Sequence, residues 1–234
     1  SIKNFKMSFF ALWKFFYKNE FDNFIANIWP LTVFSFLIRF ISPKTNLVLI
    51  EHCILSEQYR DKNIIFKILQ KISITIFYKF AHHIIGVSMG IKNDLIAHGA
   101  TKNKISVIYN PLMPDLVNEN HSINQDILRW MEGDHINLIA IGQLIKAKNF
   151  INLIKSIDIL VNKNKQKVRL VILGDGSERA AMNESIEKYN LKNSIFLPGW
   201  VDDPMPYLRL SDLLILSSDY EGFGLPVLEA MACG

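Results

Sequence analysis

The 234-residue chain is half hydrophobic, and its 26 Lys and Arg residues exceed its 22 Asp and Glu residues by a net charge of +4. This length and composition suit one large or two modest folded domains and exclude a disordered chain. The two cysteines, Cys53 and Cys233, lack metal-ligand spacing and no signal-peptide pattern precedes them, so the reducing cytosol is the expected compartment.

The first 110 residues alternate between apolar runs and helical patterns. The longest apolar run, at 24–40, contains Asn27 and Pro30, whereas a membrane-spanning helix needs about 20 predominantly apolar residues. This run predicts the end of a strand and a loop, followed by a buried helix. Three unbroken apolar runs predict further strands, at 46–52, 82–88 and 104–110. Such strands, joined through helices, indicate a parallel sheet covered on both faces.

A helix is predicted between the first two of these runs, within the stretch DKNIIFKILQKISITIFYKFAHHIIG. Large apolar residues recur in it at helical spacing, with lysines between them. The apolar residues are Ile64, Ile65, Ile68, Leu69, Ile72, Ile76 and Phe80, and the lysines are Lys62, Lys67, Lys71 and Lys79. Two interpretations stay open: a face packed on the core with a solvated basic edge, or a face lying on anionic lipid, where each surface lysine contributes about 1 kcal/mol.

Asn110 and Pro111 end this pattern, and the polar, proline-containing stretch that follows predicts a linker. The alternation then resumes and predicts a second doubly wound sheet. Its strands are expected at 136–142, 168–174, 194–199 and 212–218, with helices at 149–162 and 177–190, near Tyr207 and from Pro226 onward. We therefore expect a first domain at 1–110, a linker at 111–134 and a second domain at 135–234.

Ligands of doubly wound sheets bind outside the carboxyl ends of the strands. In the second region these ends carry turns that we expect to converge on one crevice. The turns contain Gly142, Gln143 and Lys148, then Gly174 to Gly176, then Gly199 to Asp202, and finally Glu221 to Gly224. The sequence GDGSER at the second turn departs from the dinucleotide fingerprint GxGxxG, so backbone geometry explains its glycines as well as a ligand does.

The final stretch, EGFGLPVLEAMACG, has the pattern of an anion site. Its glycines allow close backbone approach, Pro226 favours the start of a helix, and the unpaired N–H groups there carry roughly half a positive charge. Glu221 and Glu229 flank the turn, and their carboxylates can accept hydrogen bonds from hydroxyls. A phosphate held between two polyols describes a nucleotide sugar; a pair of helix-capping surface glutamates is the alternative.

These motifs form an ordered set that resembles a known family. EGFGLPVLEAMACG follows LPGWVDDPMPYLRLSDLLILSS, LVILGDGSER and IGQLIKAKNF. The set looks like the donor-binding domain of the retaining, metal-independent glycosyltransferases of family 4. The resemblance runs from about residue 46 to the end of the chain. It implies the α/β fold called GT-B, with two Rossmann-like parallel-sheet domains facing a cleft, both apparently truncated in this chain.

The resemblance also implies roles for single residues. Glu221 is expected to contact the donor sugar, Glu229 the ribose hydroxyls and Lys148 the leaving diphosphate. His52, at the strand end LIEH, corresponds to a family histidine near the transferred sugar, although a structural role is equally open. The other expected donor-binding residues are Gly142, Gln143, Gly174, Trp200, Val201, Gly222, Phe223, Gly224 and Leu225.

One position departs from the family pattern. The family usually has an arginine where this chain has Gln143, and a glutamine supplies no charge to a diphosphate. Lys148 and the helix terminus would then carry more of the stabilisation, with slower turnover or an altered donor contact. Arg179 is a candidate substitute that the sequence alone does not place.

The function that the resemblance implies is transfer of a glycosyl group from a nucleoside diphosphate sugar to an acceptor hydroxyl, without a cofactor or metal ion. Residues 1–110 have 14 Lys and Arg against 6 Asp and Glu, whereas residues 111–234 have 12 against 16. A basic first half favours an anionic membrane surface or an acidic acceptor. Together with this charge, the resemblance implies polysaccharide, lipopolysaccharide or lipid-linked glycan synthesis on the cytoplasmic side of the plasma membrane.

Two other classes of function bear on this interpretation. Nucleic-acid binding lacks support, because no aromatic-interleaved motif or basic recognition helix is present. A nucleotide-sugar-binding or membrane-docking module without catalysis remains the alternative, and Gln143 favours it.

Overall fold

The computed structural model describes residues 14, 21–111 and 124–234. The chain divides into two compact units, Ser1–Asn110 and Pro111–Gly234. Within the described part of the chain, each unit contains one four-stranded parallel sheet, so the α/β fold class expected from the sequence is confirmed. Residues 112–123, about half of the predicted linker, lie outside the described residues.

The first unit has its strands in the order of the sequence. These are β1 (Asn23–Asn27), β2 (Asn46–Glu51), β3 (His83–Gly86) and β4 (Ile105–Val107). The helices are α1 (Leu31–Phe34), α2 (Ile38–Ile41), α3 (Leu55–Gln58), α4 (Ile64–Phe77) and α5 (Met89–Ala97). A 3-10 turn at Ser35–Leu37 joins α1 to α2, so the run at 24–40 is a strand, a loop and a helical segment, in the predicted order. The segment is buried on one side only, because Leu31, Phe34 and Phe40 are 61% to 67% exposed. The hydroxyl of Ser88 caps α5 by accepting from the Ile91 N–H at 3.3 Å.

A buried polar cluster lies at the carboxyl end of β2. Glu51 is fully buried, and its Oε1 accepts hydrogen bonds from the hydroxyl of Thr32 at 2.8 Å and from that of Tyr78. Its Oε2 accepts from the backbone N–H of Trp29 at 3.1 Å. Burial raises the pKa of the Glu51 carboxyl, and these three hydrogen bonds act in the opposite direction. The cluster holds the loop after β1 against the end of β2, next to His52.

Helix α4 turns its predicted apolar stripe away from the core of the first unit. Its buried residues are Gln70 and Ile74, and Phe77 on the same side stacks on Phe36 at a centroid distance of 4.5 Å. The side chain of Ser73 accepts a hydrogen bond from the Trp29 ring at 3.3 Å. The interpretation in which the seven-residue stripe faces the core is therefore wrong, because the opposite face makes the packing contacts.

The second unit has the strand order β7-β6-β5-β8, the pattern of a doubly wound sheet. Its strands are β5 (Ile136–Ile141), β6 (Val168–Leu173), β7 (Ile195–Gly199) and β8 (Leu213–Leu214). Its helices are α6 (Gln125–Met131), α7 (Phe150–Asp158), α8 (Arg179–Lys188), α9 (Met205–Arg209) and α10 (Leu225–Cys233).

Both faces of this second sheet are covered, because alternate residues of a strand point to opposite sides. Leu138 and Leu170 pack in a buried cluster with residues of α7 and α8. Ile139 and Val171 pack in another cluster with residues of α6 and α9. This arrangement explains why β5 and β6 are continuous apolar runs in the sequence.

The last strand is shorter than predicted. The sequence pattern indicated a strand over 212–218, but the sheet pairing covers only Leu213–Leu214. Ile215 still donates its N–H to the Ile139 carbonyl at 2.8 Å. The chain then leaves the sheet, since the Asp219 N–H donates to the Ala147 carbonyl at 2.9 Å in the loop after β5. This departure carries Glu221 to that loop.

Candidate functional site

The loops that follow β5 and β6 are joined by backbone hydrogen bonds at the carboxyl edge of the second sheet. The Gly142 N–H donates to the Leu173 carbonyl at 3.0 Å, and the Leu144 N–H donates to the Asp175 carbonyl at 2.9 Å. The Glu178 N–H donates in turn to the Leu144 carbonyl at 2.9 Å. Two of the turns predicted for the site, the loops after β5 and β6, therefore pack directly on each other. We call this pair of loops the platform.

Glycines make this close approach possible. A Cβ atom on Gly174 would lie 2.0 Å from the carbonyl oxygen of Gly142, and one on Gly176 would lie 2.4 Å from that of Leu144. Gly174 also has a φ of +143°, which side-chain-bearing residues rarely adopt. The GDGSER motif thus has a packing role in this unit, the role that the sequence left open beside ligand binding.

Lys148 and Glu221 meet at the edge of this platform. The Lys148 ammonium lies 2.6 Å from Oε1 of Glu221, and the two side chains are only 18% and 24% exposed. The hydroxyl of Ser218 donates to the same oxygen at 2.6 Å. The alkyl chain of Lys148 covers Gly142, where an added Cβ would lie 3.2 Å from the lysine Cε. The two residues to which the resemblance assigns separate roles are therefore in direct contact.

A second group of contacts holds these two side chains in place. The hydroxyl of Ser217 donates to the Lys148 carbonyl at 2.7 Å. Asn149 has the left-handed φ of +50°, and its side chain donates to Asp219 at 2.7 Å. Sequence reasoning missed Ser217, Ser218, Asn149 and Asp219, although the polar run SSD immediately before the Tyr220–Glu221 pair was a signal.

The predicted anion turn leads directly into α10. Gly224 is the N-cap residue with a left-handed φ of +80°, and Leu225 and Pro226 form the first turn of the helix. The turn places Gly222 and Phe223 between Glu221 and the helix N-terminus, the end at which the N–H groups lack intrahelical partners. The glycine turn followed by a helix start near Pro226, which the sequence pattern predicts, is therefore present in the structure.

Glu229 lies one turn further along α10 and is partly buried. Burial raises the pKa of its carboxyl, and the negative charge of Asp203 raises it further. Asp203 itself accepts from the Met205 N–H at 2.9 Å at the start of α9. In the preceding loop, Trp200 is 72% exposed, whereas Val201 packs partly against the core of the unit.

Arg179, the candidate substitute for the family arginine that is missing at Gln143, is engaged in the platform. Its Nε donates to Asp175 at 2.8 Å. Its Nη1 and Nη2 donate to the carbonyls of Leu197 and Gly174, each at 3.2 Å. All three guanidinium nitrogens thus hold the loops together, while the side chain of Gln143 is exposed.

His52 lies in the first unit, just after β2. Its Nε2 is 3.3 Å from Oδ1 of Asn27, which ends the neighbouring parallel strand β1. The pair occupies the carboxyl edge of the first sheet, the edge where such sheets bind ligands. The role of His52 near a transferred sugar stays a prediction.

Among residues 14, 21–111 and 124–234, no three His, Cys, Asp or Glu side chains are grouped to hold a metal ion. In the same part of the chain, no helix is long and apolar enough to span a membrane.

Two family models match the chain. The model described as "Glycosyl transferases group 1" matches residues 128–234, and the model described as "Glycosyltransferase Family 4" matches residues 2–116. The second match begins well before residue 46, where the resemblance was expected to start. Together the two matches include most of both units.

Individual proteins are similar over long stretches. An N-acetylgalactosamine-N,N'-diacetylbacillosaminyl-diphospho-undecaprenol 4-alpha-N-acetylgalactosaminyltransferase of Campylobacter jejuni is 28% identical over 85% of this chain and 52% of its own length. An uncharacterized glycosyltransferase of Methanocaldococcus jannaschii is 28% identical over 98% of this chain and 60% of its own. The crystal structure of Anabaena HepE in complex with UDP-glucose has a TM-score of 0.76 at 21% identity, covering 95% of this chain and 60% of HepE. The chain thus spans 52% to 60% of the length of these three proteins.

Proposed function

Because this chain belongs to the family 4 glycosyltransferases of the GT-B fold, we propose that it transfers a sugar from a nucleoside diphosphate sugar to an acceptor hydroxyl with retention at the anomeric carbon. The observation that carries the proposal is the contact of Lys148 with Glu221 beside the turn that opens α10. It combines a cation, a carboxylate and the N-terminus of a helix at the edge of a sheet where ligands bind. The solved HepE complex with UDP-glucose supports a donor of this class.

In the proposed mechanism the second unit stabilises the leaving diphosphate. Negative charge grows on the diphosphate as the bond to the sugar breaks, and preorganised donors stabilise that charge most strongly. Lys148 and the N–H groups at Gly222, Phe223 and Gly224 are the proposed donors. They act where a metal ion acts in other transferases, so we expect turnover without one.

Glu221 is proposed to bind the donor sugar. A carboxylate offers about four lone-pair sites, so Glu221 can accept from sugar hydroxyls while it accepts from Lys148 and Ser218. The lysine contact holds the carboxylate in one orientation before the donor arrives. Such preorganisation lowers the entropic cost of binding.

The nucleoside end of the donor is proposed to lie along α10 and the loop after β7. Glu229 would accept hydrogen bonds from the ribose hydroxyls, and the loop with Trp200 and Val201 would contact the nucleobase. The large exposed surface of Trp200 suits stacking on a base. Gly142, Gln143, Gly174 and Leu225 would line the rest of the donor site.

Donor affinity should depend on pH through Glu229. The ionised carboxylate accepts from both ribose hydroxyls more strongly than the protonated carboxyl does. The pKa of Glu229 is raised by burial and by Asp203. Affinity should therefore be complete above that raised pKa and weaken as the pH falls through it. Asp203→Asn removes one negative charge but keeps an oxygen for the Met205 N–H, so the weakening should move to lower pH. Calorimetric titration with the nucleoside diphosphate across the acidic range measures this shift.

Two variants test this prediction. Glu229→Gln should bind more weakly and lose the pH dependence, because its side chain does not ionise. Identical pH profiles for the wild type and Asp203→Asn would show that Asp203 does not act on Glu229.

We propose that the acceptor is a polysaccharide, lipopolysaccharide or lipid-linked glycan at the cytoplasmic face of the plasma membrane. The excess of Lys and Arg in residues 1–110 favours an anionic surface. The similar Campylobacter jejuni protein is named for an undecaprenol-diphosphate acceptor, which supports this class. The alternative, a nucleotide-sugar-binding module without catalysis, is favoured by Gln143 and by the engagement of Arg179 in the platform.

Release of nucleoside diphosphate tests the proposal. The full-length protein containing this chain is incubated with UDP-, GDP- and ADP-sugars, with membrane extract as acceptor and with or without a chelator. We expect one donor to be turned over equally in both conditions, and NMR of the product to show the anomeric configuration of the donor. Binding of a donor without release, in the presence of acceptor, would favour the module without catalysis.

A further inference from the structure

Helix α4 exposes a continuous aliphatic face. Its six large aliphatic residues are 47% to 68% exposed, and they are Ile64, Ile65, Ile68, Leu69, Ile72 and Ile76. At 3.6 residues per turn these six side chains fall within an arc of about 140°. The buried Gln70 and Ile74 lie on the other side of the helix. Within the described residues, this face is thus turned to solvent over its whole length.

Aromatic residues extend this surface beyond the end of α4. Phe80 follows the helix and lies 5.9 Å from Phe40, measured between ring centroids. Both rings are partly exposed, Phe40 to 66%. Single exposed apolar side chains are common in soluble proteins, but a contiguous patch of this kind marks a site of association.

The charges on α4 itself are all positive, and the exposed Asp61 lies next to Lys62 before the helix begins. Lys71 lies on α4 and Lys62 and Lys79 lie just beyond its two ends, and all three are exposed. Lys67, also on α4, donates to the Arg60 carbonyl at 2.6 Å. No Asp or Glu occurs between Ile64 and Phe80. A protein partner would require acidic residues opposite these lysines, whereas an anionic lipid surface offers negative charge everywhere along the helix.

From these observations we infer that α4 docks the protein on an anionic bilayer. The helix has 14 residues, too few to cross a hydrocarbon core, so it would lie in the plane of the interface. Its aliphatic face would enter the boundary between head groups and acyl chains, with the lysines among the phosphates. The biological role of this docking rests on the proposed membrane acceptor. The docking itself can be tested without donor or acceptor.

Vesicle flotation tests this inference on the full-length protein. We expect binding to phosphatidylcholine vesicles that contain phosphatidylglycerol, and little binding to phosphatidylcholine alone. Lys71→Gln with Lys79→Gln should weaken binding about 25-fold, from a contribution of about fivefold for each lysine. Ile65→Ser with Leu69→Ser should weaken vesicle binding at least about tenfold, because two aliphatic side chains that would be buried in the bilayer are lost.

Matched pairs of exposed residues in the second unit serve as controls. Ile159→Ser with Leu210→Ser removes two exposed aliphatic side chains, and Lys155→Gln with Lys163→Gln removes two exposed charges. Both control proteins should bind vesicles as the wild type does. Thermal unfolding confirms that each variant is folded, and nucleoside diphosphate affinity should be unchanged in all four.

Three results would overturn the inference. The first is absence of binding to the phosphatidylglycerol vesicles. The second is an equal loss in the α4 variants and their controls. The third is unchanged vesicle binding together with conversion of a dimer to a monomer by Ile65→Ser with Leu69→Ser, which would assign the face to a second copy of the chain. Failure of donor turnover with intact vesicle binding would instead count against the proposed transferase.

Discussion

Lys148→Ala is expected to lower the kcat for donor turnover about 100- to 1000-fold, the range found when one preorganised donor to a developing negative charge is removed. The ammonium is only 18% exposed and lies 2.6 Å from Glu221, so water replaces it poorly. Single-turnover release of nucleoside diphosphate measures the effect apart from product release.

Lys146→Ala is the matched control for this prediction. Lys146 belongs to the same 3-10 turn, Lys146–Lys148, but its side chain is exposed. The control should keep wild-type kcat. A higher KM with unchanged kcat in Lys148→Ala would contradict the proposed role, because the lysine would then bind donor and transition state equally.

A double variant tests whether Lys148 and Glu221 act as one unit. Glu221→Ala alone should also abolish most turnover, since it removes the sugar contact and leaves the partly buried Lys148 without its carboxylate. Residues that act as a unit are not additive, so Lys148→Ala with Glu221→Ala should be little slower than the worse single variant. Fully additive losses would mean that the two side chains act independently.

Gly174→Ala is expected to destabilise the second unit by about 2–6 kcal/mol, combining the costs of overpacking and of an unfavourable φ. The new Cβ would lie 2.0 Å from the Gly142 carbonyl oxygen, and the neighbour is backbone that cannot rotate away. A loss of this size is comparable with the whole stability of a domain, about 5–15 kcal/mol. Urea unfolding followed by circular dichroism measures it.

Gly90→Ala is the control for replacing a glycine with an alanine where there is space for the new Cβ. Gly90 lies in α5, and the nearest atom to an added Cβ is 3.6 Å away. The change should be neutral or stabilise by up to about 1 kcal/mol, since alanine favours a helix. Wild-type stability in Gly174→Ala would mean that the loops after β5 and β6 can separate at little cost.

Much of the fold could be predicted from the sequence because its signals are local. β2, β5 and β6 are continuous apolar runs, and strands buried on both faces require that pattern. Ser88 and Pro226 sit at helix starts for reasons of hydrogen bonding and fixed φ that need no tertiary partner. The glycine turn between Glu221 and Glu229 could also be predicted, because it depends on residues that are neighbours in the chain.

The site was predictable as a set of residues but not as an arrangement. Lys148 and Glu221 are 73 positions apart, and their ion pair depends on the departure of the chain from β8 towards the loop after β5. Ser218 and Asn149 belong to the site only because of this approach. Arg179 could not be assigned from the sequence either, since the carbonyls that hold it come from two separate segments, β7 and the loop after β6.

The sequence by itself determined the α/β class, the two sheets, the helix starts and the residue types at the strand ends, because neighbours in the chain set these features. Only the tertiary structure decided which face of α4 is buried. A helix with apolar residues on most of its circumference satisfies either orientation, and the side chosen is the one that contacts Trp29 and Phe36 in the folded unit. The Lys148–Glu221 pair was decided in the same way, by contacts between segments that are distant in the chain.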